Sequence, residues 1–264
     1  MLKQHYDSEE MVRQQYANTT QYVIPFIEKS QTISDQSVVL EIGCGMGGVL
    51  KPFYEKGATC LGVDLAARSI EIANETYSNE IKSGRLRYTT ENVLDPDFQN
   101  KYTGHFDLII LKDVIEHIYH QEQFLVQLKK LLKPGGQIYF GFPPWYMPFG
   151  GHQQICVKKM TSKMPYYHLL PRAIYRSILR LAGEGEPTIQ ELMNVKDTGI
   201  SIERFEKIVR RAGFKIINKE WFLFNPIYQF KFGLKPRKQF WLLGAIPFIR
   251  NFMTTCAYYT ISIK

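Results

Sequence analysis

Cysteine is scarce: four residues in 264, Cys44, Cys60, Cys156 and Cys256, far apart and without a C-x-x-C pair. That argues against a disulfide framework or a cysteine zinc site and fits reduced thiols in a cytoplasmic protein. Long apolar runs are missing as well. The longest, Phe240 to Ile249, has ten residues and contains Pro247, too short to cross a bilayer. The start, Met1 to Asp7, has no apolar core of a signal peptide. No internal repeat, low-complexity tract or separate nucleic-acid module stands out. Acid is sparse in two places. Glu203 to Lys264 holds twelve Lys and Arg against three Glu, and Gly151 to Ala182 holds six basic residues and no acid. A basic face can attract nucleic acid, anionic lipid or an acidic substrate, although solvated helix faces have the same composition.

What is present is an ordinary globular balance, 45% apolar and 22% charged, with length for one core and an elaboration. The most informative run is Val38-Val39-Leu40-Glu41-Ile42-Gly43-Cys44-Gly45-Met46-Gly47-Gly48. An apolar strand ends in an acid and opens into a glycine turn before a helix pattern from about Val49. Open α/β folds bind nucleotides at such a carboxyl edge. Gly43, Gly45 and Gly48 also satisfy the dinucleotide fingerprint, so the glycines alone leave NAD open. Glu41, two residues before the first glycine, favours the cationic amino acid end of S-adenosylmethionine. A pyrophosphate would instead want a bare helix N-terminus.

Strands are expected at Val38–Ile42, Thr59–Val63, Leu86–Thr89, Phe106–Leu111 and Gln137–Phe142. Helices separate them, including Ala66–Tyr77 and Gln121–Leu132, the latter stopped by Pro134-Gly135-Gly136. Asp7 to Glu28 reads as a helix over the cofactor site, with Asp7 and Glu10 at capping-box spacing. The alternation predicts a doubly wound, mostly parallel sheet. It breaks from Pro143 to about Val195, where one helix is expected from Pro171 to Leu181. It resumes with a Ser201–Ala212 helix, a Lys215–Phe224 strand and a final Thr254–Ile263 strand, the two strands forming an antiparallel edge pair. One domain, 1–264, is expected: a cofactor-binding core at 1–143, a substrate-lid insert at 144–198, and a C-terminal helix with edge strands at 199–264.

Asp64, closing strand two, is placed to accept both ribose hydroxyls, and the same position would equally cap the next helix. Leu65 would press on the adenine, with Asn92 and Val93 at its edge. The chain thereby resembles the class I S-adenosylmethionine-dependent methyltransferases, of the small-molecule group that includes the 3-demethylubiquinol O-methyltransferases. Four stretches carry the resemblance: Val39 to Gly47, Leu61 to Asp64, Phe106 to His117, and Leu131 to Gly136. They are specific to fold and cofactor and say less of the substrate.

The resemblance implies seven strands, the last inserted antiparallel, and S-adenosyl-L-homocysteine as the product. Glu41, Gly43 and Gly45 would hold the methionine part, Asp64 the ribose, Asn92 and Val93 the adenine. Backbone near Leu111 and Lys112 would accept from the amino group. Asn92 departs from the family's frequent aspartate.

A hydroxyl acceptor needs a base, and His117 and His152 are the candidates, both in loops at the sheet's carboxyl edge. The bland alternative for each is a hydrogen-bonded structural histidine. Asp113, Glu116 and His117 could cup a divalent ion, but adjacent acids serve more often at helix starts, and no metal is assigned. Asn/Asp-Pro-Pro-Tyr after strand four, expected of many nitrogen methylators, is missing, as is the Pro-Cys of cytosine C5 enzymes. Trp145 and Tyr146 stand for an aromatic acceptor wall. The expected partner is a small-molecule or lipid-linked acceptor without nucleic acid, methylated at oxygen. Phe230 to Phe252 could touch a membrane surface. The competing readings are an RNA or protein methyltransferase using the basic patches and a cofactor-fold binding module without turnover. Oligomeric state is not legible.

Overall fold

The computed structural model describes residues 8–264. Eight strands form one sheet: β1 (Val38–Ile42), β2 (Thr59–Val63), β3 (Leu86–Thr89), β4 (Phe106–Lys112), β5 (Leu132–Phe142), β6 (Phe214–Phe224), β7 (Arg237–Lys238) and β8 (Cys256–Ile263). Their order is β3-β2-β1-β4-β5-β8-β6-β7. β1 to β5 run parallel, and β8 lies antiparallel between β5 and β6. The central strands β1, β4 and β8 are buried on both faces along most of their length, which is why they read as near-continuous apolar runs. One core includes Leu40, Ile109 and Phe140; the other, across the sheet, includes Val39, Leu108 and Tyr139. The alternation of side-chain direction along each strand divides them.

The expected count of seven strands is corrected to eight. The addition is β7, where Lys238 pairs with Phe222 and Arg237 with Phe224. Two exposed charged residues after Pro236 carry no hydrophobic period, so nothing in the sequence announces a strand. Charged side chains on such an edge also discourage pairing with another sheet. β5 begins earlier than expected, at Leu132, with a register break between the Phe106 and Leu108 pairings that accommodates Pro134 to Gly136.

Helix Ser8–Asn18 continues through a wide turn at Thr19–Val23 into Ile24–Ile27; the proposed cap, Asp7, lies outside the described residues. The segment after β5 carries helices Lys159–Lys163, Arg172–Leu181 and Glu186–Thr198. It has a small core of its own, with Tyr167, Tyr175, Leu179 and Leu192. Trp145 packs within it. Its ring meets His168 edge-on at 4.7 Å, and a side chain on Gly199 would come within 2.3 Å of that ring. Gly199→Ala is therefore expected to cost about 1–3 kcal/mol. A thermal melt should show a midpoint several degrees lower, and an unchanged midpoint would mean that the ring yields freely.

Candidate active site

The carboxyl ends of β1 and β2 are stitched together by backbone. Gly43 and Cys44 donate their N–H groups to the Val63 carbonyl at 2.8 and 3.1 Å. Gly45 donates to Asp64 Oδ2 at 2.8 Å, and the other oxygen accepts from the Ala66 N–H at 2.8 Å. Asp64 thus fastens the turn and starts the next helix. A carboxylate has about four acceptor positions, so two remain for a ribose.

Gly43 (φ 71) and Gly45 (φ 51) adopt left-handed backbone, which favours glycine. A Cβ on Gly43 would strike Val114 at 2.5 Å, whereas none of the neighbouring heavy atoms lies within 4 Å of one built on Gly45. Gly45 therefore offers a bare backbone face beside open space. Helix Ser8–Asn18 closes over the same loop, for a side chain on Gly48 would meet the Val12 carbonyl and Gln15.

Glu41 is buried and its Oε2 has no hydrogen-bond partner. Burial pushes its carboxyl well above the usual range, against the pull of Lys112 and with a further push from Asp64. An unpaired buried carboxyl is costly, and a cationic amino group would relieve it. The orphaned oxygen and the open face of Gly45 both fit the amino acid end of S-adenosylmethionine.

Leu65 is 73% exposed beside Asp64, available to cover an adenine. Asn92 lies in the turn after β3, its Oδ1 accepting from the Leu94 N–H at 3.0 Å. The Val93 side chain is buried in the core. Leu111 pairs with Ile42 in the sheet, which puts the end of β4 beside Glu41. Lys112 binds Asp113; burial opposes its charge, but Asp113 more than compensates and holds its pKa above the usual lysine value.

The loops after β4 and β5 bring the two histidines together. Asp113 (φ 57), His120 (φ 53) and His152 (φ 57) all adopt left-handed backbone, a conformation that clusters at functional loops. The His117 and His152 rings meet edge-on, 4.9 Å between centroids. Glu116 lies beneath them, buried, its Oε1 3.8 Å from His152 Nε2 and neither oxygen hydrogen-bonded. The ligand atoms of Glu116, His117 and His152 lie within 4.8 Å of one another, a donor set that would accept a divalent ion. His152 takes the place in that grouping that the sequence offered to Asp113, and Asp113 is paired with Lys112. Burial lowers the His117 pKa. Burial, then the facing His117, push His152 down to about 4, so its imidazole is neutral at pH 7.

Beside His152 opens a cavity of about 820 Å³. Asp113, His152 and Lys231 are among its polar lining, with Lys231 and His152 both close enough to act on the Asp113 charge, and Met147, Phe149, Tyr166 and Tyr228 give it apolar walls. Trp145 and Tyr146 are not among its lining residues. Trp145 packs the insert, and Tyr146 rests on Phe252 with ring centroids 5.5 Å apart. The aromatic wall comes instead from their neighbours, and from a helix, Ile227–Phe232, that the sequence reading passed over. Its start does carry a signal, since Asn225 Oδ1 accepts from the Ile227 N–H and Pro226 follows it, a combination favoured at helix N-termini.

His168 is the structural counterpart to these histidines. It is fully buried, with Nε2 2.9 Å from the Trp145 carbonyl and Nδ1 3.4 Å from Gln153 Nε2. These contacts suit the neutral tautomer that donates through Nε2 and accepts through Nδ1. Burial pushes its pKa to about 4. Below the ordinary histidine value of about 6.5 the unfolded chain takes up a proton that the native state refuses. This residue's contribution is therefore present above that value and lost as pH falls toward 4. Between pH 7 and 5 it should amount to roughly 2 kcal/mol. Urea titrations of the protein and of His168→Gln should show a pH slope shallower in the variant by that amount.

Residues 12–219 match the family model for a methyltransferase domain. The ubiquinone biosynthesis O-methyltransferase of Roseobacter denitrificans is 23% identical over 72% of this chain and 64% of its own length. That of Bartonella tribocorum is 32% identical over 40% of each. The chain thus spans less than two thirds of the length of these relatives. Among solved structures, geranyl diphosphate C-methyltransferase from Streptomyces coelicolor, in complex with Mg2+, geranyl diphosphate and S-adenosyl-L-homocysteine, superposes with a TM-score of 0.56 at 12% identity. It covers 90% of this chain and 78% of that one. The PH0226 protein from Pyrococcus horikoshii gives 0.58 at 13% identity, covering 94% and 91%. The strand order with its inverted last strand, the glycine turn and the span of that family match agree, and the chain belongs to the class I S-adenosylmethionine-dependent methyltransferases.

Proposed function

We propose that this protein methylates an oxygen of a small or lipid-linked acceptor held in the 820 Å³ cavity. One observation carries the reading. The loop after β4 touches the glycine turn through Gly43 and Val114, and the same loop gives Asp113 to the lining of the cavity. Cofactor crevice and acceptor cavity therefore share a wall.

S-adenosylmethionine supplies an electrophilic methyl on a sulfonium. The chain's own part is alignment and the removal of a proton. Orienting two bound reactants contributes on the order of 7–11 kcal/mol. His152, neutral and lining the cavity, accepts the acceptor's proton, and His117 and Glu116 steady its ring. Residues 144–198 act as the lid, and the apolar walls suit a ring-bearing or aliphatic acceptor. The ubiquinone relatives support an oxygen acceptor.

Incubation with labelled S-adenosylmethionine and fractionated cell extract, followed by mass spectrometry, tests the reading. A methyl gained on oxygen of a lipid-extractable molecule is the expected result. Label in RNA or protein would replace the reading with a macromolecular methyltransferase, and cofactor binding without any transfer would leave a binding module.

A further inference from the structure

Eight of the fourteen residues from Phe240 to Met253 are large exposed apolar side chains, Trp241 at 79% and Phe248 at 65%. An apolar concentration of this kind on a protein surface marks a contact face. Its backbone is held for the purpose. Phe248 has φ 65, which bulky side chains avoid, and its N–H is fixed by Glu203 Oε1 at 2.9 Å, the carboxylate that also anchors Arg250 at 2.8 Å.

The exposed charges beside this face are basic. No acid occurs after Glu220 in the sequence. Exposed Lys235, Arg237 and Lys238 adjoin the patch; Glu220 holds Lys238 at 2.9 Å, whereas Lys235 and Arg237 have no ion pair among the described residues. Across the cavity the insert presents Val157 and Met160, each 62% exposed, beside Lys158, Lys159 and Lys163. The two arms meet where the Tyr166 hydroxyl donates to the Phe252 carbonyl at 3.2 Å. Lys163 and Tyr166 from one arm and Phe232, Leu234, Phe252 and Met253 from the other line the same cavity. The exposed apolar face is therefore continuous with the rim of the acceptor site.

We propose that this rim docks on an anionic lipid surface, with the apolar side chains in the acyl boundary and the lysines and arginines at the headgroups, so that the acceptor enters the cavity from the bilayer. The route of entry rests on the function proposed above; the docking does not. Charge selects the occupant, since a second copy would set like-charged rims against each other.

The test uses the full chain and sedimentation with vesicles of phosphatidylglycerol and phosphatidylcholine, against phosphatidylcholine alone, at low salt. The protein should bind the anionic vesicles at least tenfold more tightly. Lys235→Ser with Arg237→Ser should weaken that binding roughly thirtyfold, about fivefold for each charge. Trp241→Ser with Phe248→Ser should abolish it, together with quenching of tryptophan emission by brominated lipid. Both variants should keep the parent's melting midpoint and its affinity for S-adenosylhomocysteine. Absent binding to anionic vesicles, equal binding to both kinds, or binding unmoved by the substitutions would overturn the proposal. So would a lipid-free dimer, seen by light scattering, that Trp241→Ser with Phe248→Ser dissolves. Failure of methyl transfer would sink the functional reading while leaving the vesicle result intact.

Discussion

Asp64→Ala should lower the affinity for S-adenosylhomocysteine by at least about a hundredfold. The carboxylate has two tasks, and the substitution removes both. It fixes the glycine turn through the Gly45 N–H and the following helix through the Ala66 N–H, each at 2.8 Å. Its remaining lone pairs are the proposed ribose acceptors, and hydrogen bonds to a charged group contribute roughly 1.5–3 kcal/mol each. Losing two of them alone accounts for the expected effect, and loosening of the turn adds to it. Isothermal calorimetry on the parent, Asp64→Ala and Asp64→Asn reads it. The asparagine should fall between, because one acceptor oxygen survives without its charge. An alanine variant that binds within about threefold of the parent would show that the ribose is held elsewhere.

The second large effect is on turnover. With the acceptor in hand, His152→Ala should lower kcat by about 10²–10⁴, the usual contribution of a positioned base, while cofactor affinity stays nearly constant. His117→Ala should cost less, since His117 contacts the His152 ring and is not among the residues lining the cavity. A pH profile adds a check that a merely structural histidine would not pass. With its pKa near 4, His152 keeps the proton-accepting form well below neutrality. The parent's rate should hold level down to about pH 5 and then fall, and the variant should lose that acid limb. Equal rates in the parent and both alanine variants would remove the base assignment from either histidine.

The glycine turn and its flanking acids were open to reading because each of these parts is local in sequence. A strand, its terminal acid and its glycine turn are consecutive residues, and Asp64 ends the next strand. Parallel strands then carry these chain ends to one edge, so spacing along the chain became position in space. The cavity beside His152 is assembled from segments far apart. Asp113, Phe149, Tyr166, Tyr228 and Phe252 meet only in the folded molecule, and no periodicity encodes which side of Trp145 its ring will take. An aromatic residue looks the same in a sequence whether it packs a core, as Tyr175 does, or faces a cavity, as Tyr166 does. His168 illustrates the limit among titratable groups. Only its two contacts, with Trp145 and Gln153, separate it from the pair at the site.

The interleaving of β8 has a consequence for biosynthesis. Until a growing chain reaches Cys256, β5 and β6 have no strand between them, and each leaves a row of amides and carbonyls unpaired. Phe140 and Phe142 would then lack the covering side chain of Tyr259. Open edges of that kind recruit other chains, so the nascent protein is prone to association until β8 has emerged and paired. Thr255, directly before β8, also lines the cavity beside His152, so that cavity is completed in the same step that seals the sheet.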